Sequence, residues 1–587
     1  MPKKKPFSGK QKKKQLQEKK HRGEGSLTRS GNKEAWKLQD QIEKYDSDCS
    51  SGDGNPHAFE PGRNIHGKAT KSTNPRDRYR LNFLRESRDE IDKRKLQSQT
   101  ELLIPIPPEK MEMSIEEVYQ PGSELDMPQR PHWDYLDSKQ LLEQREEKYF
   151  STYLDNLYSK FKDKNLSYFE HNLETWRQLW RVIEMSDVIA MVADVRHPVL
   201  HFSPALYNFA IHVVKKPLIL VLNKIDLVPA PVVIAWKKYF ENKFPELHVI
   251  TFTSFPKNLR GDAAEKRVSK KRAVGKRVYT TQIGPQELLQ VCKKICGEKV
   301  NLESWEQKIL NDLEGLNCDL EPEMNIEEEH QSSEQGPESK ELFKNGRLTL
   351  GFVGHPNVGK SSLMNGLIGK KVVSTSVTPG HTKYFQTYFL TRDVMLCDCP
   401  GLVFPSLVQK QMQILSGIYP IAQVQEPYTP VGYLASRIPI VKLLGITHPN
   451  KESEWTAWDI CEGWAEKRRF YTSKGRRTDV YRAANNILRM AVDGRLCLFM
   501  LPPGYVKEEK SWMANSETLK LLSLVSDPGS VGDILSFHQM FSHPEIASSE
   551  HDTQDSSSGE ESESSHEHGD GGKGFSVQNQ FALLGED

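Results

Sequence analysis

Leu348-Thr349-Leu350-Gly351-Phe352-Val353, followed by Gly354-His355-Pro356-Asn357-Val358-Gly359-Lys360-Ser361, is the stretch that decides the fold. Its first six residues have the length and apolar character of a buried strand, and Ser361-Ser362-Leu363-Met364-Asn365-Gly366-Leu367-Ile368 starts a helix. The Gly-x4-Gly-Lys-Ser loop between them therefore sits in the strand–loop–helix context in which such a loop cradles phosphate. Gly359 lets backbone N–H groups approach the phosphates, and the helix N-terminus adds a favourable positive end. The spacing assigns Lys360 to the β- and γ-phosphates and the Ser361 hydroxyl to Mg²⁺, with Gly354, Asn357, Val358 and Ser362 completing the loop.

Two pieces follow downstream. Thr378-Pro379-Gly380-His381-Thr382 lies where a first switch supplies a hydroxyl to Mg²⁺ and the γ-phosphate, and Thr382 is assigned that role. Asp393-Val394-Met395-Leu396-Cys397-Asp398 reads as a short strand running into Asp398-Cys399-Pro400-Gly401, a DxxG sequence. Asp398 would hold Mg²⁺ through water, and the Gly401 N–H would sense the γ-phosphate. A DxxG alone says little; behind a phosphate loop and at a strand end it marks a second switch. Lys360, Thr382 and Gly401 are the expected catalytic set, and Ser361, Thr382 and Asp398 the expected metal set.

Upstream, the apolar run Pro217–Leu222 ends in Asn223-Lys224-Ile225-Asp226, an NKxD. Asp226 can accept from the guanine N1–H and exocyclic amine. Adenine offers no such donor pair there, and an unpaired carboxylate would cost roughly 1–3 kcal/mol. Lys224 would lie over the base or ribose, and Asn223 would tie this loop to the phosphate side. The motif selects GTP over ATP and argues against a P-loop ATPase or kinase. His248-Val249-Ile250-Thr251-Phe252-Thr253-Ser254-Phe255 reads as the next strand. It ends where the Ser254 backbone N–H would meet the guanine O6, with a bulky Phe255 beside it that would weaken or reshape the base pocket. A plain core strand is the competing reading of that run.

The base motif thus precedes the phosphate loop and both switches, whereas an ordinary GTPase places it last. That order implies a circularly permuted GTPase whose second switch leads straight into a further domain. The expected fold class is α/β: a permuted P-loop domain with a mostly parallel sheet and helices on both faces, then a mainly helical C-terminal domain, with disordered charged termini.

These residues resemble the YlqF/YawG family of circularly permuted GTPases over roughly residues 127 to 505. Among the strings that carry the resemblance are Phe169-Glu170-His171-Asn172-Leu173-Glu174-Thr175-Trp176, and Asp194-Val195-Arg196-His197-Pro198 in place of the family's DARxP. Thr378 to Thr387 and Asp398 to Pro405 are similar too. The resemblance implies action in large ribosomal subunit assembly. Leu402, where a Ras-like enzyme carries a water-orienting glutamine, implies slow unaided hydrolysis, as the family's hydrophobic residue does. The resemblance also implies Asn357 as a K⁺ ligand, against the plainer reading of a loop-stabilising Asn.

Net charge over the 587 residues is +1, which hides a strong asymmetry. The head, with Lys3-Lys4-Lys5, Lys12-Lys13-Lys14 and Lys19-Lys20-His21-Arg22, is basic. It fits nuclear or nucleolar import, with shuttling to the cytoplasm left open, RNA binding, or both. The tail from Ser548 to Gly572 is rich in Ser, Glu, Asp and His, and both compositions predict disorder. No apolar run reaches bilayer length, so no membrane is expected. The eight cysteines lack a secreted or zinc-type spacing, which suits a reducing intracellular compartment.

The expected organisation is a basic region over 1–100, linker from residue 23 onward, and a helical or extended lead-in over 101–169, with residues 136–180 helical. A GTPase domain over 170–405 would carry a basic insertion at 257–277 and an acidic closure at 314–341. A helical domain over 406–545 and an acidic tail over 546–587 would follow. Within the helical domain, Asp479 to Arg489 reads as an amphipathic helix ended by Asp493-Gly494-Arg495, and Leu501-Pro502-Pro503-Gly504 as the close of the unit. Lys467-Arg468-Arg469, Phe470, Tyr471 and Lys474-Gly475-Arg476-Arg477 precede that helix and suit RNA contact as well as a solvated face.

The leading functional reading is a monomeric, slowly hydrolysing GTP/GDP-gated factor that binds RNA or a pre-ribosomal particle. The alternative is a weakly hydrolysing GTP-binding scaffold acting on protein partners through its charged tails.

Overall fold

A computed structural model describes residues 87–119, 125–134, 136–161, 166–254, 282–314, 342–374, 382, 384–472 and 477–525. The chain divides into residues 1–73 and 74–587, and every described residue belongs to the second unit. Phe255, Thr378 to His381, the basic insertion, the acidic closure beyond Glu314 and both charged ends lie outside the described residues.

Short apolar runs form one six-stranded sheet: β1 (Val188–Asp194), β2 (Leu218–Asn223), β3 (His248–Phe252), β4 (Leu348–Val353), β5 (Gln386–Thr391) and β6 (Val394–Asp398). Their order is β3-β2-β1-β4-β6-β5, parallel except for the antiparallel edge pair β5–β6. β1, β2 and β4 are buried along their whole length because both sheet faces are covered, which is why they read as unbroken apolar runs. β1 meets β4 directly, Val188 opposite Leu350, although the chain between them contains the whole base-side half.

Alternation sorts the strand residues onto two faces. Ile189, Met191, Leu220 and Leu222 face one cluster with α3 (Leu173–Met185) and α4 (Ala230–Lys243). Val188, Ala190, Ile219 and Phe352 face the other, with α5 (Pro285–Cys296), α6 (Glu303–Glu314) and α7 (Lys360–Ile368). Ahead of these come α1 (Arg88–Thr100) and α2 (Lys139–Lys160). After the sheet come α8 (Lys410–Leu415), α9 (Tyr428–Ala435), α10 (Ala457–Lys467), α11 (Val480–Val492), α12 (Tyr505–Met513) and α13 (Ser516–Val525). This is the α/β fold with a helical C-terminal region that the motifs imply.

Three expectations are corrected. Residues 88–100 form α1 rather than linker: Ser87 caps it by accepting from Glu90 N, and it packs on α9 and α10. The span 136–180 is two helices, because Ser167 and Glu170 donate their backbone N–H groups to Ser406 and Val403 and hold an extended segment between them. Leu501 to Gly504 does not close the helical unit: α12 and α13 follow it within the expected 406–545 span, both packed on α4. One apolar cluster runs from the sheet face through Leu402, Val403 and Phe404 to Ile460, Ile487 and Leu488. Asp479 caps α11 and the turn at Gly494 ends it, as the sequence reading expects.

Candidate functional site

Every parallel strand delivers a motif at its C-terminal end, so five loops converge along one edge of the sheet. β4 ends in the phosphate loop. Gly359 has φ +103°, and a Cβ there would stand 2.4 Å from Asn223 Nδ2, so only glycine fits where the base loop meets the phosphate loop. Asn223 Nδ2 donates to the Val358 carbonyl at 2.8 Å, the tie between the two motifs that the sequence reading expects. Val358 buries its side chain in the sheet core, so it offers a ligand only its backbone.

Lys360 opens α7 with its ammonium turned back into the loop, donating to the carbonyls of Gly354 at 2.9 Å and His355 at 2.6 Å. Burial lowers its pKa to about 8, against the opposing pull of the Asp398 charge. Ser361 Oγ donates to Asp398 Oδ2 at 2.7 Å and lies 3.4 Å from Thr382 Oγ1. Asp398 is fully buried at the end of β6, and its Oδ1 has no hydrogen-bond partner. Burial raises its pKa to about 6, with the Lys360 charge and the Ser361 hydrogen bond opposing. Three hard oxygen donors thus meet beside a carboxylate oxygen that lacks a partner, a donor set that fits Mg²⁺ and that Ser361, Thr382 and Asp398 would supply. Ser362 is half-buried in the first turn of α7.

Gly401 lies against the phosphate loop: a Cβ there would stand 2.7 Å from Pro356 Cα and 2.8 Å from its N. Next to it, Leu402 N donates to the Gly354 carbonyl at 3.2 Å, and its side chain is buried. Leu402 therefore points into the core and cannot orient a water. Phe404 packs between His355 and Trp176, with ring centroids 5.5 and 5.6 Å away.

At the end of β2, Lys224 adopts φ 63° and donates to the Asn357 carbonyl at 2.6 Å. Asn357, itself at φ 58°, donates from Nδ2 to the Gly417 carbonyl at 2.9 Å. Thr253 Oγ1 donates to Asp226 Oδ1 at 2.7 Å and fixes the carboxylate that would read guanine. The sequence reading missed Thr253, although a hydroxyl residue at the end of β3 is its visible signal. Ser254 is buried next to it, and its Oγ has no hydrogen-bond partner.

Asp194 and Arg196 belong to a motif that the sequence reading quotes without giving either residue a role. Asp194 is buried between Arg196 Nη2 and Lys224 Nζ, each 2.8 Å away. Burial alone would raise its carboxyl, but those two charges outweigh it and hold the group well below the usual range.

Permuted order, sheet topology and converging loops together define a circularly permuted GTPase. The family description "50S ribosome-binding GTPase" matches residues 349–425. Guanine nucleotide-binding protein-like 1 of Homo sapiens is 48% identical over 555 residues, covering 91% of each chain. The chain belongs to the guanine nucleotide-binding protein-like 1 family of GTP-binding, GTP-hydrolysing proteins. The Large subunit GTPase 1 homolog of Mus musculus is 32% identical over 428 residues, covering 64% of this chain and 66% of that one. A GNP-bound YlqF structure from T. maritima covers 56% of this chain and 97% of its own, at 18% identity and a TM-score of 0.33.

Proposed function

We propose that the protein is a GTP-gated factor that binds RNA or a pre-ribosomal particle in large-subunit assembly and hydrolyses GTP slowly until its partner or a cation completes the site. The observation that carries this reading is the continuity of the second switch with the helical region. Leu402 is tied to the phosphate loop, and Phe404 is packed on it. Leu407 N then donates to the Val118 carbonyl at 2.9 Å, and α8 follows at Lys410. A change at the γ-phosphate therefore reaches a packed helix within a few residues. The names of the Mus musculus relative and of the matching family point to the same particle.

The RNA-facing candidates are Arg469, Arg477 and Tyr471, all exposed. Lys467 instead donates to the carbonyls of Leu444 and Gly445, and Arg482 lies over the Phe470 ring at 4.5 Å. Base stacking would thus fall to Tyr471. Mg²⁺ would sit at Ser361, Thr382 and Asp398, and K⁺ at Asn357. The basic head would direct a monomeric protein to the nucleus or nucleolus. Among the described residues no helix is long and apolar enough to cross a membrane.

The test is co-sedimentation with pre-ribosomal particles in the presence of a non-hydrolysable GTP analogue or GDP, with Lys360→Ala as the nucleotide-blind control. Co-migration with large-subunit precursors in the analogue state alone supports the reading; a protein at the top of the gradient in both states sinks it. The buried Leu402 favours a second reading, a weakly hydrolysing scaffold for protein partners. Single-turnover hydrolysis unaffected by K⁺ or by particles would favour that scaffold.

A further inference from the structure

Arg196 lies outside the set of groups that would touch nucleotide, yet it is a buried cation next to them, hydrogen-bonded through each guanidinium nitrogen. Its Nε donates to Asp194 Oδ1 at 3.0 Å and its Nη2 to Oδ2 at 2.8 Å. The rest of the guanidinium faces away from the sheet. Nη1 donates to the Ala491 carbonyl at 3.0 Å, and Nη2 also reaches the Val492 carbonyl at 3.2 Å. Those carbonyls form the last turn of α11, which lacks intrahelical donors and carries the negative end of the helix dipole. The other oxygen contact of Asp194 is Lys224, whose ammonium also holds the Asn357 carbonyl of the phosphate loop.

The end of α11 and the turn after it also meet the base loop directly and the phosphate loop through Gly417. A Cβ on Gly494 would stand 3.0 Å from Leu227 in the base loop, and Cys497 Sγ donates to the Leu227 carbonyl at 3.1 Å. A Cβ on Gly417, which accepts from Asn357, would stand 3.1 Å from Val492. The end of α11 is therefore packed on the base loop and linked to the phosphate loop through Gly417 and, by way of Asp194, through Lys224.

We propose that Arg196 is a positioning residue for the guanine nucleotide. By joining Asp194 to the last turn of α11, it makes the placement of Lys224 depend on the docking of the helical region. Coupling of this kind is reciprocal: a partner that pulls the end of α11 away loosens Lys224 and releases GDP, and bound nucleotide tightens α11. The proposal rests on the guanine-nucleotide reading of the site, which binding of a fluorescent N-methylanthraniloyl GDP to the unsubstituted full-length chain checks separately.

The experiment is stopped-flow release of that GDP from the full-length protein and from Arg196→Lys, Lys224→Met and the double variant. Lysine keeps a charge for Asp194 but cannot bridge it to two carbonyls. Arg196→Lys is expected to raise the release rate about tenfold, equivalent to about 1.4 kcal/mol, and to add little once Lys224→Met is present. Hydrogen exchange over 480–495 should quicken in Arg196→Lys and lose its slowing by GDP. A release rate within twofold of the parent, or a full Arg196→Lys effect persisting on top of Lys224→Met, overturns the proposal, the latter marking Arg196 as merely structural. Should Arg196→Lys not fold, Asp194→Asn, which keeps the volume and removes the charge, answers the same question by the same two readings.

Discussion

Ser361 Oγ donates to one oxygen of the buried Asp398 carboxylate at 2.7 Å, and the other oxygen has no partner. Two residues from different motifs are thus joined, linking the phosphate loop to the second switch where the proposed Mg²⁺ would sit. Asp398→Asn should keep this hydroxyl contact but remove the charge. The Mg²⁺-dependent part of GDP affinity should then fall by on the order of ten- to a hundredfold. Release of fluorescent GDP with and without EDTA measures it: in Asp398→Asn the chelator should hardly change the rate.

Opposite burial effects on Asp398 and Lys360 give nucleotide binding a pH window. The metal needs the carboxylate, so affinity should drop as pH falls through about 6. Phosphate needs the ammonium, so association should weaken as pH rises through about 8. Beyond each edge the loss approaches tenfold per pH unit. Bound phosphate favours the charged lysine, so binding above pH 8 should take up a proton. Calorimetry in buffers of different ionisation enthalpy reads that uptake, and Lys360→Ala should abolish the alkaline edge.

In the proposed site base selection would rest on Asp226, which Thr253 holds by a hydrogen bond. Asp226→Asn turns one acceptor into a donor, which mismatches the guanine amine and matches the carbonyl that xanthine carries at the same carbon. GDP affinity should fall roughly 5- to 150-fold, the equivalent of about 1–3 kcal/mol, while that for XDP rises. Thr253→Val should lower GDP affinity by a smaller factor without this switch in preference. Competition binding with GDP, XDP and ADP distinguishes the two variants.

Gly401 meets the backbone of Pro356 with no room for a methyl group. Gly401→Ala must push the second switch off the phosphate loop by a fraction of an ångström or more. Misplacement on this scale can slow a reaction by on the order of a hundredfold. Single-turnover hydrolysis should fall accordingly while GDP affinity falls less, because GDP lacks the γ-phosphate that the Gly401 N–H would sense.

The parts of this site that are local in sequence were legible in it. Strand, loop and helix around Gly354–Ser361 are contiguous, so their apolar runs and glycines suffice; Asn223–Asp226 behind an apolar run is equally self-contained. What remained hidden depends on distant partners. α1 has only Ile91 and Leu96 as large apolar residues and owes its place to α9 and α10, with Lys95 over the Trp458 ring at 5.8 Å. The interruption before α3 is imposed by Val403 and Ser406. The role of Arg196 is set by carbonyls almost 300 positions downstream, which no local pattern announces. Leu402 was read for its missing glutamine, but its burial against the core is a tertiary fact.

The adjacency of β1 and β4 has a consequence for biosynthesis. A ribosome making this chain delivers β1, β2 and β3 first, and they can pair in order. The open edge of β1, a row of unpaired N–H and C=O groups flanked by apolar side chains, then waits until Leu348–Val353 has emerged. Throughout that interval the nascent half-sheet presents a sticky template to any other extended chain, and its closure is a long-range parallel pairing of the slow kind. A transient need for chaperone cover between the appearance of β3 and that of β4 follows from the strand order itself.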